Sequence, residues 1–398
     1  MSRVALTAIL VLALSLSATG QQVLPRVAPA SAGLDPASLD QVTGLLEQFV
    51  AEREIAGAVA AVARHGQVAY LQAVGVQDLT SRAPMTERSL FRIYSMTKAV
   101  TAVAVMMLHE EGKFQLDDPV EKYLPEFAAV GVLDTPGGTP RPPARPVTVE
   151  DLLLHTSGLS HRSSDLYRTL AVRSRADSLP EFVVKITRAP LMEDPHTRFR
   201  YSEGTTVLGR LVEIWSGLAF DVFVQRRIFG PLGMTDTVFW VEGERRHRLA
   251  AVYGPAPDGG LVAVDSESVP FTERPRLLEG AVGLVSSVPD FLRFSQMLLD
   301  HGTLGGTRLL PAATVARMTA NGLSAEVLKA RGGRMGWGLG NVDVRMDGGE
   351  YGWDGTAGTI FWVDPRTETV VVLMTQSMPA NPDGLRQKFK ALVDAAVR

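Results

Sequence analysis

AGAVAAVARHGQVAYLQAVG, residues 56–75, reads as two strands: AGAVAAVAR and QVAYLQAVG are apolar runs joined by a single turn at His65-Gly66. A lone hairpin is too small to be stable in water. Its missing neighbours stand near the other end of the chain, where RMGWGLGNVDV (334–344), GTAGTIFWV (355–363) and TVVVLMTQ (369–376) read as three more strands. The last two are joined by Asp364-Pro365-Arg366-Thr367. Two strands at the front and three at the back make one antiparallel sheet assembled from both chain ends. Leu39, Val42, Leu45, Leu46, Phe49 and Val50 recur at helical spacing ahead of the hairpin, and Leu385, Phe389, Leu392 and Ala396 do so in the last segment. The middle, approximately residues 95–293, becomes a mostly helical insertion. Its Pro/Gly-rich loop VLDTPGGTPRPPARPVT (132–148) reads as a surface excursion. The expected fold class is α/β of the α+β type, with a central antiparallel sheet flanked by helices and an inserted helical subdomain.

The 398 residues, 45% hydrophobic and 21% charged, are enough for one large core. A formal charge of -3 gives no global electrostatic case for nucleic acid or an anionic membrane. There are no cysteines, which removes thiol nucleophiles, thiolate metal sites and disulfides together. The start, MSRVALTAILVLALSLSATGQQ, has one cation at Arg3, an apolar run from Val4 to Leu16 and small residues at Ala18 and Gly20. This reads as a signal peptide over 1–20, cut after Gly20, with a lead-in over 21–33 and a single domain over 34–398. The run is shorter than the roughly 20 residues that span a bilayer, so the expectation is an exported protein, periplasmic or secreted, with no stable membrane span. No internal repeat is evident.

The chemistry starts at FRIYSMTKAVTAVAVMML, residues 91–108, where Ser95 and Lys98 lie one turn apart on an otherwise apolar helix that stops near Gly112. A helix apolar on nearly every side is a buried one. Burial disfavours the charged form of an amine, so Lys98 becomes a usable proton acceptor and can activate the Ser95 hydroxyl. Taken alone, S-x-x-K is read more readily as a helix-capping serine with a snorkelling lysine than as a catalytic pair. Further motifs decide between the two.

SMTK resembles the nucleophile motif of the serine β-lactamase and penicillin-binding superfamily. EGKFQLDDPVEKYLPEF, VTVEDLLLHTSGL, TRFRYSEG, GLVSSVPDFLRFSQMLL and GWDGTAGTIFWVDP are similar, in order, to the landmarks of its class C-like branch, from about Leu34 to Gln376. That branch holds class C β-lactamases, D-alanyl-D-alanine carboxypeptidases, D-aminopeptidases and family VIII carboxylesterases. The resemblance implies Ser95 as nucleophile, Lys98 as its proton partner and Tyr201 as general base. It implies an oxyanion hole from the backbone N–H groups of Ser95 and Thr356, and substrate contacts from Glu203, Trp353, Asp354 and Gly355, at the start of a strand. His155-Thr156-Ser157-Gly158 resembles a structural landmark. The seven histidines show no paired spacing, so neither metal nor organic cofactor is implied. No G-x-S-x-G occurs.

Three departures bear on the substrate, expected to be a small ester, amide or β-lactam. Glu203 stands where the second motif often ends in Asn, and Trp353 stands where β-lactamases and carboxypeptidases carry a cation for the substrate carboxylate. Pro195-His196-Thr197 replaces the common P-G-T. An indole in place of a cation, with Glu203 and Asp354 nearby, disfavours an anionic β-lactam. Arg198 and Arg200 restore positive charge if they face the pocket. Ester hydrolysis of the carboxylesterase type is the leading expectation. A β-lactamase or D-amino-acid-specific peptidase is the alternative, and a catalytically silent binding relative the second alternative. Oligomeric state is not legible.

Overall fold

A computed structural model describes residues 24–397 apart from Pro136, Asp258 and Ser266. The expected signal peptide lies outside the described residues. The described part of the lead-in is not a free linker: the Val27 N–H donates to Val68 O at 3.0 Å and the Val68 N–H to Pro25 O at 2.8 Å.

The hairpin forms as expected, β1 over Gly57–Arg64 and β2 over Gln67–Gly75. The far end gives five strands rather than three: β3 Met335–Gly338, β4 Val342–Arg345, β5 Tyr351–Asp354, β6 Ile360–Asp364 and β7 Thr369–Met374. RMGWGLGNVDV divides because Asn341 takes a left-handed conformation, φ 55°, and turns the chain back on itself. YGWD pairs on both sides, with β4 and with β6, and so is a strand of its own. The seven strands run in the order β2-β1-β7-β6-β5-β4-β3, every neighbouring pair antiparallel. β1 from the front pairs directly with β7 from the back, Val59 opposite Met374 through Arg64 opposite Thr369.

Both sheet faces are covered, which is why β1 is buried along its whole length. Ala58, Ala60 and Val62 pack with Val371 and Leu373 under α1 (Pro36–Ala51) and the C-terminal helix (Leu385–Ala396). Val59, Ala61 and Ala63 face the other way with Val370, Val372 and Met374. There they join the large core that holds α2 (Thr97–Glu110), α3 (Gly204–Ser216) and α4 (Val288–Leu299). The two-residue period of the strands thus sorts the chain into two apolar layers. The C-terminal helix is α5. No described helix is long and apolar enough to cross a membrane. The excursion at 132–148 is pinned at its base: Arg141 exchanges backbone hydrogen bonds with Val132, and its guanidinium pairs with Asp134 at 2.8 Å and Asp194 at 2.7 Å.

Candidate active site

Ser95 does not cap α2. It sits on a short 3-10 turn, Tyr94–Met96, immediately before the helix, and it is 6% exposed. Tyr94 holds a positive φ of 42°, a costly conformation for a bulky residue at the position preceding the hydroxyl. Packing keeps it there: the Tyr94 ring meets Phe271 edge-on at 5.9 Å, and the Ile93 N–H donates to Leu284 O at 3.0 Å.

α2 is buried from Thr97 to Leu108, and Lys98 is 0% exposed, so its amine does not snorkel. Its Nζ donates to Ala281 O at 3.1 Å and lies 4.6 Å from the centre of the Tyr201 ring. Tyr201 arrives from the stretch leading into α3, whose first turn follows Glu203. The indole N–H of Trp353, on β5, donates to Tyr201 Oη at 3.0 Å. Ser95, Lys98, Tyr201 and Trp353, spread over more than 250 positions of sequence, are therefore drawn to one end of the sheet.

Around Tyr201 the rings form a cage: Trp353 at 5.3 Å, His155 at 4.7 Å, His161 at 5.6 Å and Trp337 at 6.1 Å. His155 is fully buried with φ 54°, and its Nδ1 accepts the Ser202 N–H at 3.3 Å. Burial, then the nearby Lys98 charge, hold its imidazole well below the ordinary histidine range, so it stays neutral. The landmark histidine is thus a prop for the tyrosine, a role that its position beside an apolar run does not disclose.

The third motif lies differently from the expectation. Trp353 and Asp354 end β5 instead of starting a strand, because YGWD is already paired on both sides, and the chain turns at Gly355–Thr359 before β6. Gly355 is required there, since a Cβ would run into the Ile93 carbonyl oxygen and Thr359 Oγ1. This close approach sets the turn against the segment that bears Ser95. Thr356, on the turn, is exposed.

Two residues expected to face substrate are otherwise engaged. Asp354 pairs with Arg386 of α5, whose guanidinium also donates to Gly355 O at 2.8 Å and Thr359 O at 3.1 Å. Burial pushes the Asp354 carboxyl up, against the opposing pull of Arg386. Glu203 is 0% exposed, below the tyrosine, its N–H donating to Ser160 O at 3.2 Å. Burial raises its carboxyl, but Arg162, Lys98, His161 and Arg173 outweigh that, and the net direction is down. Glu203 is therefore a buried anion and not a wall of the pocket. Arg200 pairs with Glu193, and Arg198 is exposed, with no hydrogen bond or ion pair among the described residues. Arg386 was not legible in the sequence: nothing in an amphipathic C-terminal helix marks one arginine as a brace for a distant turn.

A family model described as Beta-lactamase matches residues 42–396. Esterase EstB of Burkholderia gladioli is 32% identical over 384 residues, taking in 88% of this chain and 93% of that protein. Penicillin-binding protein 4 of Amycolatopsis lactamdurans is 32% identical over 333 residues, 81% of each chain. Among solved structures, EstCE1, described as a hydrolase with promiscuous acyltransferase activity, superposes with a TM-score of 0.79 at 25% identity. That match covers 91% of this chain and 98% of the other.

Proposed function

As a serine hydrolase that belongs to the Beta-lactamase family, this chain, we propose, hydrolyses small carboxylic esters through an acyl-enzyme on Ser95. The observation that carries the reading is the hydrogen bond from Trp353 to Tyr201. Where β-lactamases and carboxypeptidases carry a cation for the substrate carboxylate, this chain has an indole committed to the tyrosine, 3.0 Å from its oxygen. Asp354, next to it, is paired with Arg386 and offers no cation either. Esterase EstB, similar over nearly the whole of both chains, supports the same class.

In the proposed reaction, Ser95 Oγ attacks the ester carbonyl carbon while Tyr201 Oη takes the serine proton. The indole N–H of Trp353 on that oxygen and Lys98 Nζ, 4.6 Å from the ring centre, flank the accepting group. The oxyanion would be held by the N–H groups of Ser95 and Thr356, a site built by the turn that Gly355 brings against Ile93. The tyrosine then returns the proton to the leaving alkoxide. Water, activated by the same phenolate, attacks the acyl-enzyme, and the carboxylic acid leaves with Ser95 restored. Export under a signal peptide over 1–20 is part of the proposal.

The test compares turnover of a short-chain p-nitrophenyl ester, a chromogenic cephalosporin and a D-alanine p-nitroanilide, each with Ser95→Ala as control. Ester turnover that Ser95→Ala abolishes is expected. Fast cephalosporin turnover with slow ester turnover would overturn the preference, and absence of a fluorophosphonate adduct on Ser95 would sink the hydrolase mechanism.

A further inference from the structure

The loop after the HTSG segment passes across the site. His161 lies against the Tyr201 ring at 5.6 Å, and the next residue, Arg162, holds its guanidinium 6.0 Å from the centre of the Tyr94 ring. One loop thus touches both Tyr201, the proposed base, and Tyr94, the residue before Ser95.

Several charged side chains surround this loop. Arg173 pairs with Glu267 at 2.8 Å and with Glu279, and Arg175 lies 3.6 Å from the same Glu279. Arg173 is hydrogen-bonded to both carboxylates, whereas Arg175 approaches Glu279 without a hydrogen bond among the described residues. Asp354 is matched by Arg386. Glu203 faces Arg162 and Lys98, with His161 held largely neutral by burial. Glu203 and Arg162 do not close on each other: Glu203 Oε1 and Arg162 Nη1 are both buried and, among the described residues, neither has a hydrogen-bond partner. A buried guanidinium N–H without an acceptor is a costly arrangement that a ligand acceptor relieves.

We propose that Arg162 receives a carboxylate carried by the substrate, so that the preferred ester bears an anionic group on its acyl or its leaving side. This rests on the esterase reading above and deepens it. A planar guanidinium matches a carboxylate with paired N–H donors, and an Nη1 without an acceptor among the described residues is free to make one of those bonds. The third motif lacks its cation, and the loop supplies one from a different direction. The anionic group is therefore recognised beside Tyr94 and not at the end of β5.

Two matched pairs of esters test it: 3-carboxyphenyl acetate against 3-carbamoylphenyl acetate for the leaving side, and the 4-nitrophenyl monoester of terephthalic acid against its terephthalamide counterpart for the acyl side. In at least one pair the carboxylate member should be preferred about tenfold in kcat/KM, the scale of one charge-assisted contact. In Arg162→Gln that ratio should fall towards one, and Arg162→Lys should keep part of it. No preference in either pair, or equal losses for both members in Arg162→Gln, would overturn the proposal. Calorimetric binding of the same pairs to the Ser95→Ala chain separates the two claims. Carboxylate binding that depends on Arg162, without turnover by the native chain, defeats the esterase reading and leaves the anion site. Turnover without carboxylate preference does the reverse.

Discussion

Trp353 donates its indole N–H to the phenolic oxygen of Tyr201 at 3.0 Å, joining the end of β5 to the start of α3 across 152 positions of sequence. A donor fixed on that oxygen favours negative charge developing there, so in the proposed reaction it acts on the base and not on the substrate. Trp353→Phe keeps the ring and removes the donor. It should lower the rate of Ser95 acylation about ten- to a hundredfold with a smaller change in KM, read from single-turnover kinetics with a p-nitrophenyl ester. A loss confined to KM would mean that Trp353 serves substrate packing alone.

Tyr201 and Glu203 are two residues apart, yet the proposed reaction uses only Tyr201. Tyr201→Phe removes the proton acceptor and should cost roughly 10²- to 10⁴-fold in acylation. Glu203→Gln keeps the shape of a fully buried side chain and should cost far less. Equal losses would count against Tyr201 as the base.

Arg386 holds the turn that presents the proposed oxyanion amide, donating to Gly355 O and Thr359 O and pairing with Asp354. Arg386→Met leaves two inward carbonyls and a carboxylate without their donor, a loss on the order of 2–4 kcal/mol in unfolding free energy. Asp354→Asn removes the charge but leaves the carbonyl bonds, and should be milder in both stability and turnover. If the two variants lose equally, the ion pair and not the carbonyl contacts holds the turn.

The sequence made the hairpin and the edges of the site legible for different reasons. Gly57–Gly75 was readable because apolar strands flank one turn, and Val371–Leu373 because a continuous apolar run in a sheet buried on both faces has no other use. The strands between Met335 and Asp354 were not, since their glycines and the left-handed Asn341 break the pattern that strand reading relies on. Ser95, Lys98 and Tyr201 stood in recognisable motifs. Arg386 and Arg162 did not, because what each faces is a backbone carbonyl or a charge from another part of the chain. The charges of Glu203 and Asp354 misled the reading of the pocket for the same reason: their counter-cations lie 30 to 105 positions away.

His155 packs on Tyr201 with a left-handed backbone and an Nδ1 that accepts the Ser202 N–H. Asn tolerates that φ and offers an oxygen in place of the nitrogen, whereas Ala does neither. His155→Asn should therefore retain more activity and a higher Tm than His155→Ala, the gap being about 1–3 kcal/mol in stability. Because the imidazole is held neutral, neither variant should alter the pH profile of kcat between pH 6 and 8 in a way that follows a histidine. A titration step lost in both variants would contradict the assignment.

Asp290 gives a pH signature independent of catalysis. It stands in the first turn of α4, nearly fully buried, accepting the Asp236 N–H at 2.7 Å and the Thr237 hydroxyl at 2.9 Å. Burial, only partly offset by those donors, pushes its carboxyl from the ordinary 3.8 up to about 6. Between those values the folded chain holds a proton that the unfolded chain releases, so this group's contribution is full below about pH 4 and is lost as pH rises through 6. The loss is on the order of 2–3 kcal/mol. Asp290→Asn keeps an oxygen for both donors and never ionises. Other carboxylates, held below their ordinary values, tilt the background the opposite way, so the measurement is the difference between the two proteins. Chemical denaturation of each at pH 4, 5, 6 and 7 should show the native chain losing ground to Asp290→Asn across pH 4–6 and holding level above it. A difference that does not change with pH would mean that Asp290 ionises in the folded chain as readily as in the unfolded one.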